Sequence, residues 1–266
     1  MADCVQEKVG SQGYPSSQIR VVDIFSDNRS GESVSNYSHK FMDKGILYIV
    51  ATPIGNLEDI TFRALRILKE ADLIACEDTR IASRILTHYS IKKTLISYHQ
   101  HSELKKIDLI INKLKEGENI ALITDAGTPG ISDPGNILVA EAIKNNIEIH
   151  PIPGPSALAA IVSVSGIDLQ KFLFLGFPPH KKGRETFFKE VIASKYPIIY
   201  YESPHRFMKN VELLKALGFA RSIIVGREIT KIFEQIVRGN IDEILNYFEQ
   251  NQDKIKGEFV LIIDNK

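Results

Sequence analysis

From Gly45 onward, two hydrophobic periodicities alternate along this chain: short apolar runs of strand length, and longer stretches with apolar residues every three or four positions. The first run, GILYIVATP (45–53), predicts a buried strand, and TFRALRILKEAD (61–72) predicts a helix with Phe62, Leu65 and Leu68 on one stripe. DLIACED (72–78), TLISYH (94–99), NIALITD (119–125) and IEIHPI (147–152) continue the strands, separated by helices at IASRILTHY (81–89), SELKKIDLIINKLKEG (102–117) and ILVAEAIKNN (137–146). A further helical pattern, LAAIVSVSG (158–166), leads into strands at KFLFLGF (171–177), PIIYYES (197–203), RSIIVGRE (221–228), FEQIVRGN (233–240) and GEFVLIID (257–264). Helices fall between them at RETFFKEVIASK (184–195), HRFMKNVELLKALG (205–218) and IDEILNYFEQ (241–250), and Phe207, Val211, Leu214 and Leu217 form the apolar face of the second. Strands alternating with helices imply parallel β structure, so the predicted class is α/β.

PIPGPSA (151–157), with three prolines and a glycine, divides the pattern as a hinge. The expected organisation is an N-terminal α/β domain over 45–152 and a C-terminal α/β domain over 158–266. Residues 1–44 are rich in Ser, Gly, Gln, Asn and Asp, with IRVVDIF (19–25) as their one apolar cluster, and are expected to be a disordered leader. The 33 basic and 33 acidic side chains cancel, so no global field announces a nucleic-acid partner and only a local patch can serve one. Cys4 and Cys76 are too few for a disulfide framework or a cysteine zinc site, which suits a reducing compartment, and the expected location is cytoplasmic. No run approaches the roughly 18 apolar residues of a membrane span, and no membrane association is expected.

Candidate chemistry lies in the loops that follow the strands, because open parallel sheets bind ligands beyond their carboxyl ends. ATPIGN (51–56), CEDTR (76–80), YHQHSE (98–103), DAGTPGISDPG (125–135) and PIPGPSA occupy those positions, whereas KEAD, KEGEN and KNNIE at the opposite ends are ordinary solvated turns. DAGTPGISDPG holds three glycines and two prolines in eleven residues. Glycine lets backbone approach a ligand and proline stiffens it, so the loop is expected to be a preorganised wall for a ligand. It matches neither G-x-x-x-x-G-K-[ST] nor G-x-G-x-x-G, which argues against a phosphate cradle of either type.

LYIVATPIGNLEDIT, IACEDTR, YHQHSE, ALITDAGTPGISDPG, PIPGPSA, FLGFPP and YESPHR, in this order, resemble the motifs of the tetrapyrrole methylase superfamily, in the subgroup that modifies ribosomal RNA. The resemblance covers about residues 45–266. It implies two α/β domains with S-adenosyl-L-methionine folded in the cleft between them, and a homodimer. On this sequence the cofactor-binding positions it implies are Pro53, Gly55, Asp125, Ala126, Gly127, Thr128, Pro129, Ser156 and Ala157. Gly127, Thr128 and Pro129 stand where the wider superfamily usually has Gly-Asp-Pro, as in the ribosomal subgroup, and this favours RNA over a porphyrin as substrate. The small helical C-terminal extension of many ribosomal members is not expected after GEFVLIID. The implied reaction transfers a methyl group to the 2′-oxygen of a cytidine in 16S ribosomal RNA of the small ribosomal subunit and requires no metal.

Such a transfer needs a group to take the hydroxyl proton. His99, Glu77 and His101 are the candidates, since each follows a strand closely; a helix start or a structural hydrogen bond explains the histidines equally well. The ordinary reading of Asp78 is a helix cap paired with Arg80. For RNA contact the candidates are Lys181, Lys182 and Arg184 in HKKGR, Glu202, His205 and Arg206 in YESPHR, and Arg227 and Lys231 after RSIIVG. In YESPHR, Ser203 and Pro204 also have the signature of a helix N-terminus. Phe233 and Tyr201 are expected in the core. Two alternatives stay open at this point: a methyltransferase acting on a tetrapyrrole or corrinoid small molecule, and a non-catalytic cofactor-binding module.

Overall fold

The computed structural model describes residues 44–98 and 104–265; the leader expected over 1–44, except for Lys44, and His99 and His101 lie outside the described residues. The chain forms two five-stranded sheets in sequence order. The first contains β1 (Ile46–Val50), β2 (Leu73–Cys76), β3 (Thr94–Ser97), β4 (Ile120–Ile123) and β5 (Glu148–Ile152), with helices α1 (Phe62–Glu70), α2 (Thr79–His88), α3 (Leu104–Lys115) and α4 (Asn136–Lys144) between them. Its strand order is β3-β2-β4-β1-β5, and every pairing is parallel. The central strands β2 and β4, LIAC and IALI, are buried at every residue, as expected where helices cover both faces. On one face Ile107, Ile110, Ile111 and Leu114 of α3 and Leu138 and Ala142 of α4 pack on Leu47, Leu73, Ile120 and Leu122. On the other, Ala64, Ile67 and Leu68 of α1 and Ala82 and Leu86 of α2 pack on Val50, Ile74, Ala121 and Ile123.

The stripe expected on α1 is corrected at its first residue. Phe62 is 94% exposed. The buried positions are Ala64, Ile67 and Leu68, and Phe62 is about 200° round the helix from Ala64 at 3.6 residues per turn.

After α5 (Ala157–Ser163), the second sheet comprises β6 (Leu173–Phe174), β7 (Ile198–Glu202), β8 (Ser222–Arg227), β9 (Gln235–Asn240) and β10 (Phe259–Ile263), in the order β6-β7-β10-β8-β9. Here the expectation of parallel structure needs correction: β10 is antiparallel to both β7 and β8, and β8 is antiparallel to β9. The strands joined through α6 (Arg184–Ala193), α7 (Pro204–Ala216) and α8 (Ile241–Gln250) still point the same way within each joined pair. Direction reverses only at the connection from β8 to β9, which has no helix, and β10 therefore runs against the two strands that flank it.

Alternation along β10 divides the core: Phe259, Leu261 and Ile263 face α6, α7 and α8, whereas Val260 and Ile262 face Ile161 of α5. Phe207 of α7 stacks on Phe259 with ring centroids 4.4 Å apart and meets Phe248 of α8 edge-on at 4.6 Å. Asn240 closes a capping box with Glu243 at the start of α8, which satisfies that helix's first amides.

Phe207 is fully buried and ties three elements together. Phe207→Ala should therefore cost about 3–5 kcal/mol, measured as a lowered urea midpoint at unchanged slope.

Candidate active site

In the first sheet, β1 leads through α1 to one side of the sheet and β4 leads through α4 to the other, which opens a crevice beyond their carboxyl ends. The loops at this crevice are joined by backbone. The Thr52 amide donates to the Gly127 carbonyl at 2.9 Å, and the Gly127 amide donates back to the Thr52 carbonyl at 3.0 Å. Gly127 has φ of +84°, a conformation that glycine adopts without a Cβ clash. Thr52 Oγ1 donates to the Thr124 carbonyl at 3.1 Å, and Thr128 Oγ1 donates to the Pro155 carbonyl at 3.2 Å, which ties in the loop after β5. The Asp78 amide donates to Asp125 Oδ1 at 3.1 Å and ties in the loop after β2. Pro53 and Pro129, in the same loops, are buried.

A cleft of about 470 Å³ opens on these loops, lined by residues of both sheets. This is within the roughly 300–1,000 Å³ of small-molecule sites. Asp125, Ala126, Gly127, Thr128, Ser156 and Ala157 line it from the first half; Phe177, Tyr201, Gly226, Ile229 and Val260 close it from the second. Its carboxylates are Glu77, Asp125, Asp133, Glu202 and Glu258, and no lysine, arginine or histidine is among the described lining residues. Glu202 and Glu258 are already paired with Arg206 and Lys231; Glu77, Asp125 and Asp133, beside apolar walls and open backbone, suit the cationic groups of a ligand such as S-adenosyl-L-methionine, which carries a sulfonium and an ammonium.

Of the implied cofactor positions, six line the cleft. Pro53, Gly55 and Pro129 are not among its lining residues: the two prolines are buried, and Gly55 lies under Lys231, where a Cβ would come within 2.3 Å of Lys231 Cγ. Glu77 also lines the cleft. Asp78 caps α2 and pairs with Arg80 at 2.5 Å.

The residues expected at RNA divide into two sets. Lys181, Lys182 and His205 are exposed, and Arg184 is half-buried at the start of α6. Glu202 is only 2% exposed. It accepts from the Ser203 amide at 2.7 Å, from Arg206 Nη2 at 3.1 Å and from the Asn210 side-chain amide. Arg206 also donates from Nη1 to the Pro178 carbonyl at 2.9 Å, so it braces the loop after β6. Arg227 is buried and donates to the carbonyls of Lys256 at 3.0 Å and Phe233 at 3.1 Å. Lys231 is held by Glu228 at 2.8 Å and Glu258 at 2.9 Å. Both side chains are thus engaged within the second half, Arg227 by backbone carbonyls and Lys231 by carboxylates.

Phe233, expected in the core, is 69% exposed, because it sits on the turn between β8 and β9 and not in either strand. Tyr201 is half-buried and lines the cleft.

Asp133 was not singled out by the sequence, although it belongs to the quoted loop. Burial, followed by the nearby charge of Glu77, pushes its carboxyl up to about 6; a hydrogen bond with Thr124 opposes the shift, and Asp125 and Glu258 add to it. Burial leads the rise of the Tyr201 phenol above its usual range; hydrogen bonds with the Leu158 backbone and with Ser156 oppose it, and the charge of Asp133 adds to it. Nothing in composition distinguishes Asp133 from a turn aspartate; its burial against the second sheet is what sets it apart.

The family model described as Tetrapyrrole (Corrin/Porphyrin) Methylases matches residues 46–245. A protein named Ribosomal RNA small subunit methyltransferase I from Halalkalibacterium halodurans is 45% identical over 223 residues, covering 84% of this chain and 76% of that protein. Proteins of the same name from Pasteurella multocida and Thermotoga maritima are 46% and 43% identical, each covering 84% of this chain, with 80% and 99% of their own lengths matched. Among solved structures, the cobalamin biosynthetic enzyme cobalt precorrin-4 methyltransferase, CbiF, superposes with a TM-score of 0.58 at 16% identity, covering 82% of this chain and 94% of that one, a likeness of fold. The chain therefore belongs to the tetrapyrrole (corrin/porphyrin) methylases and, among them, to the family of ribosomal RNA small subunit methyltransferase I.

Proposed function

We propose that this chain methylates the 2′-oxygen of a cytidine in 16S ribosomal RNA of the small ribosomal subunit, using S-adenosyl-L-methionine. The observation that carries the reading is the acidic, backbone-floored cleft between the two sheets, in a chain so similar to ribosomal RNA small subunit methyltransferases. The same reading includes the two-domain division at 151–157, a homodimer and a cytoplasmic location. Among the described residues no helix is long and apolar enough to cross a membrane.

When bound, S-adenosyl-L-methionine supplies a methyl group on a positively charged sulfur. Asp125, Ala126, Gly127, Thr128, Ser156 and Ala157 would hold it, with Pro53, Gly55 and Pro129 fixing their backbone. Asp133 takes the ribose hydroxyl proton on its carboxylate. Glu77 raises the proton affinity of Asp133 by its charge and orients the hydroxyl, the two carboxylates being driven to different roles by mutual repulsion. His99 and His101, outside the described residues, complete the set of candidates for proton transfer. The second half closes the cleft against water with Tyr201, Ile229 and Val260.

The test is methyl transfer to undermethylated small subunits, with the product nucleotide mapped. Gly127→Ala puts a side chain in a left-handed conformation at about 1–2 kcal/mol; the free loop relaxes that strain and binding must restore it, so calorimetry should show S-adenosyl-L-methionine binding weakened by up to roughly fivefold to thirtyfold.

The acceptor must be ionised, and a carboxyl raised to about 6 ionises only above that pH. The transfer rate should therefore rise to a plateau above pH 6 and fall by about tenfold per unit below it. Asp133→Asn should lower kcat by roughly 10²–10⁴-fold and remove this limb of the profile. The folded state holds the Asp133 proton more tightly than the unfolded chain, so this carboxyl favours folding at low pH and loses that contribution as pH rises through about 6. The same variant should therefore melt no lower than the parent at pH 7; a profile unchanged in a folded variant excludes the role.

A further inference from the structure

The cleft's acidic interior repels a polyanion, so an RNA strand must keep its phosphates outside while one nucleotide turns in. Single-stranded nucleotides are held out of their stack chiefly by aromatic faces, with cations nearby for the backbone. One described aromatic ring meets both conditions. Phe177 lines the cleft, is 52% exposed, and immediately precedes the turn that carries the exposed Lys181 and Lys182.

Its loop is held at three points. The Tyr201 amide donates to the Gly176 carbonyl at 2.8 Å, Arg206 donates to the Pro178 carbonyl at 2.9 Å, and Pro178 is itself buried. The ring is backed by Tyr201, with centroids 5.4 Å apart at 59°, and Tyr201 in turn packs on Phe174 at 5.0 Å. Gly176 also meets the loop after β4: a Cβ there would lie 3.1 Å from Ser132 Oγ, beside Asp133.

We propose that Phe177, presented at the cleft mouth on this braced loop between Tyr201 and the lysines at 181 and 182, is the platform on which the base of the target nucleotide stacks. The proposal rests on the RNA reading above and names its substrate subsite. A base on the outer face of Phe177 keeps its phosphates toward Lys181 and Lys182 and its ribose toward the Ser132–Asp133 side of the cleft. The braced loop lowers the ordering cost of binding, since the ring is already in place. The rival occupant is the adenine of the cofactor.

The test uses the full chain with Phe177→Ala, Phe177→Leu and Phe177→Trp, undermethylated small subunits as substrate, and three readouts: KM for subunits, kcat, and the calorimetric Kd for S-adenosyl-L-methionine. Phe177→Ala and Phe177→Leu should each raise KM for subunits by at least about tenfold, with cofactor Kd within about twofold of the parent and unchanged melting temperature. Phe177→Trp should restore KM, since any broad aromatic face serves. The leucine variant keeps apolar bulk, so its loss reports on stacking and not on folding. An unchanged KM in a folded leucine variant, or an equal loss of cofactor affinity, overturns the platform while leaving the methyltransferase reading intact. An unaltered protein that methylates no subunit overturns that reading itself.

Discussion

Two backbone hydrogen bonds between Thr52 and Gly127 fix the geometry on which the rest of the site depends. Each contributes only about 0.5–1.5 kcal/mol, so their importance is positional. They hold the loops after β1 and β4 at one spacing, at the place where the helical crossovers diverge and leave the sheet end open. Thr128 then attaches the loop after β5 through Pro155, and Asp125 attaches the loop after β2 through Asp78. A floor made in this way from main chain needs few side chains, which is why Gly and Pro dominate it.

Charge is divided across the molecule although it sums to zero. Carboxylates line the cleft and lysines stand on the turn outside it. Arg227 and Lys231 are engaged by carbonyls and carboxylates of the second half. Lys231 lies across Gly55, so the turn after β8 reaches back to the first sheet's opening loop. A cationic small molecule and a polyanion can thus be accommodated by one surface without competing for the same electrostatic environment.

Much of this was readable in the sequence. The loops after β1, β2, β4 and β5 were placed correctly, because an apolar run followed by Gly, Pro or Asp has few other structural uses. The helix stripe at Phe62 was misplaced because periodicity fixes spacing more firmly than phase: the small Ala64 marks the buried side better than the large Phe62 at the helix start. Antiparallel β10 escaped notice because a strand–helix–strand pattern constrains the strands it joins, and not the neighbours between which the last strand inserts. Glu202 reads as an RNA contact in one dimension; its burial becomes apparent only when Arg206 and Asn210 of α7 turn to meet it. Asp133 and Phe177 gain their interest from the opposite half, and contact between distant segments leaves no local pattern.

The position of β10 has a consequence for how the chain is made. It occupies the middle of its sheet, yet β6, β7, β8 and β9 all precede it in sequence. As a ribosome delivers the chain from its N-terminus, the first sheet can assemble early, whereas β7 and β8 must wait with facing edges unfilled until residues 259–263 emerge. During that interval those edges are open to any other extended segment. The maturation of the second half is thus timed by its final strand, and a nascent chain halted before Phe259 would be vulnerable to mispairing there.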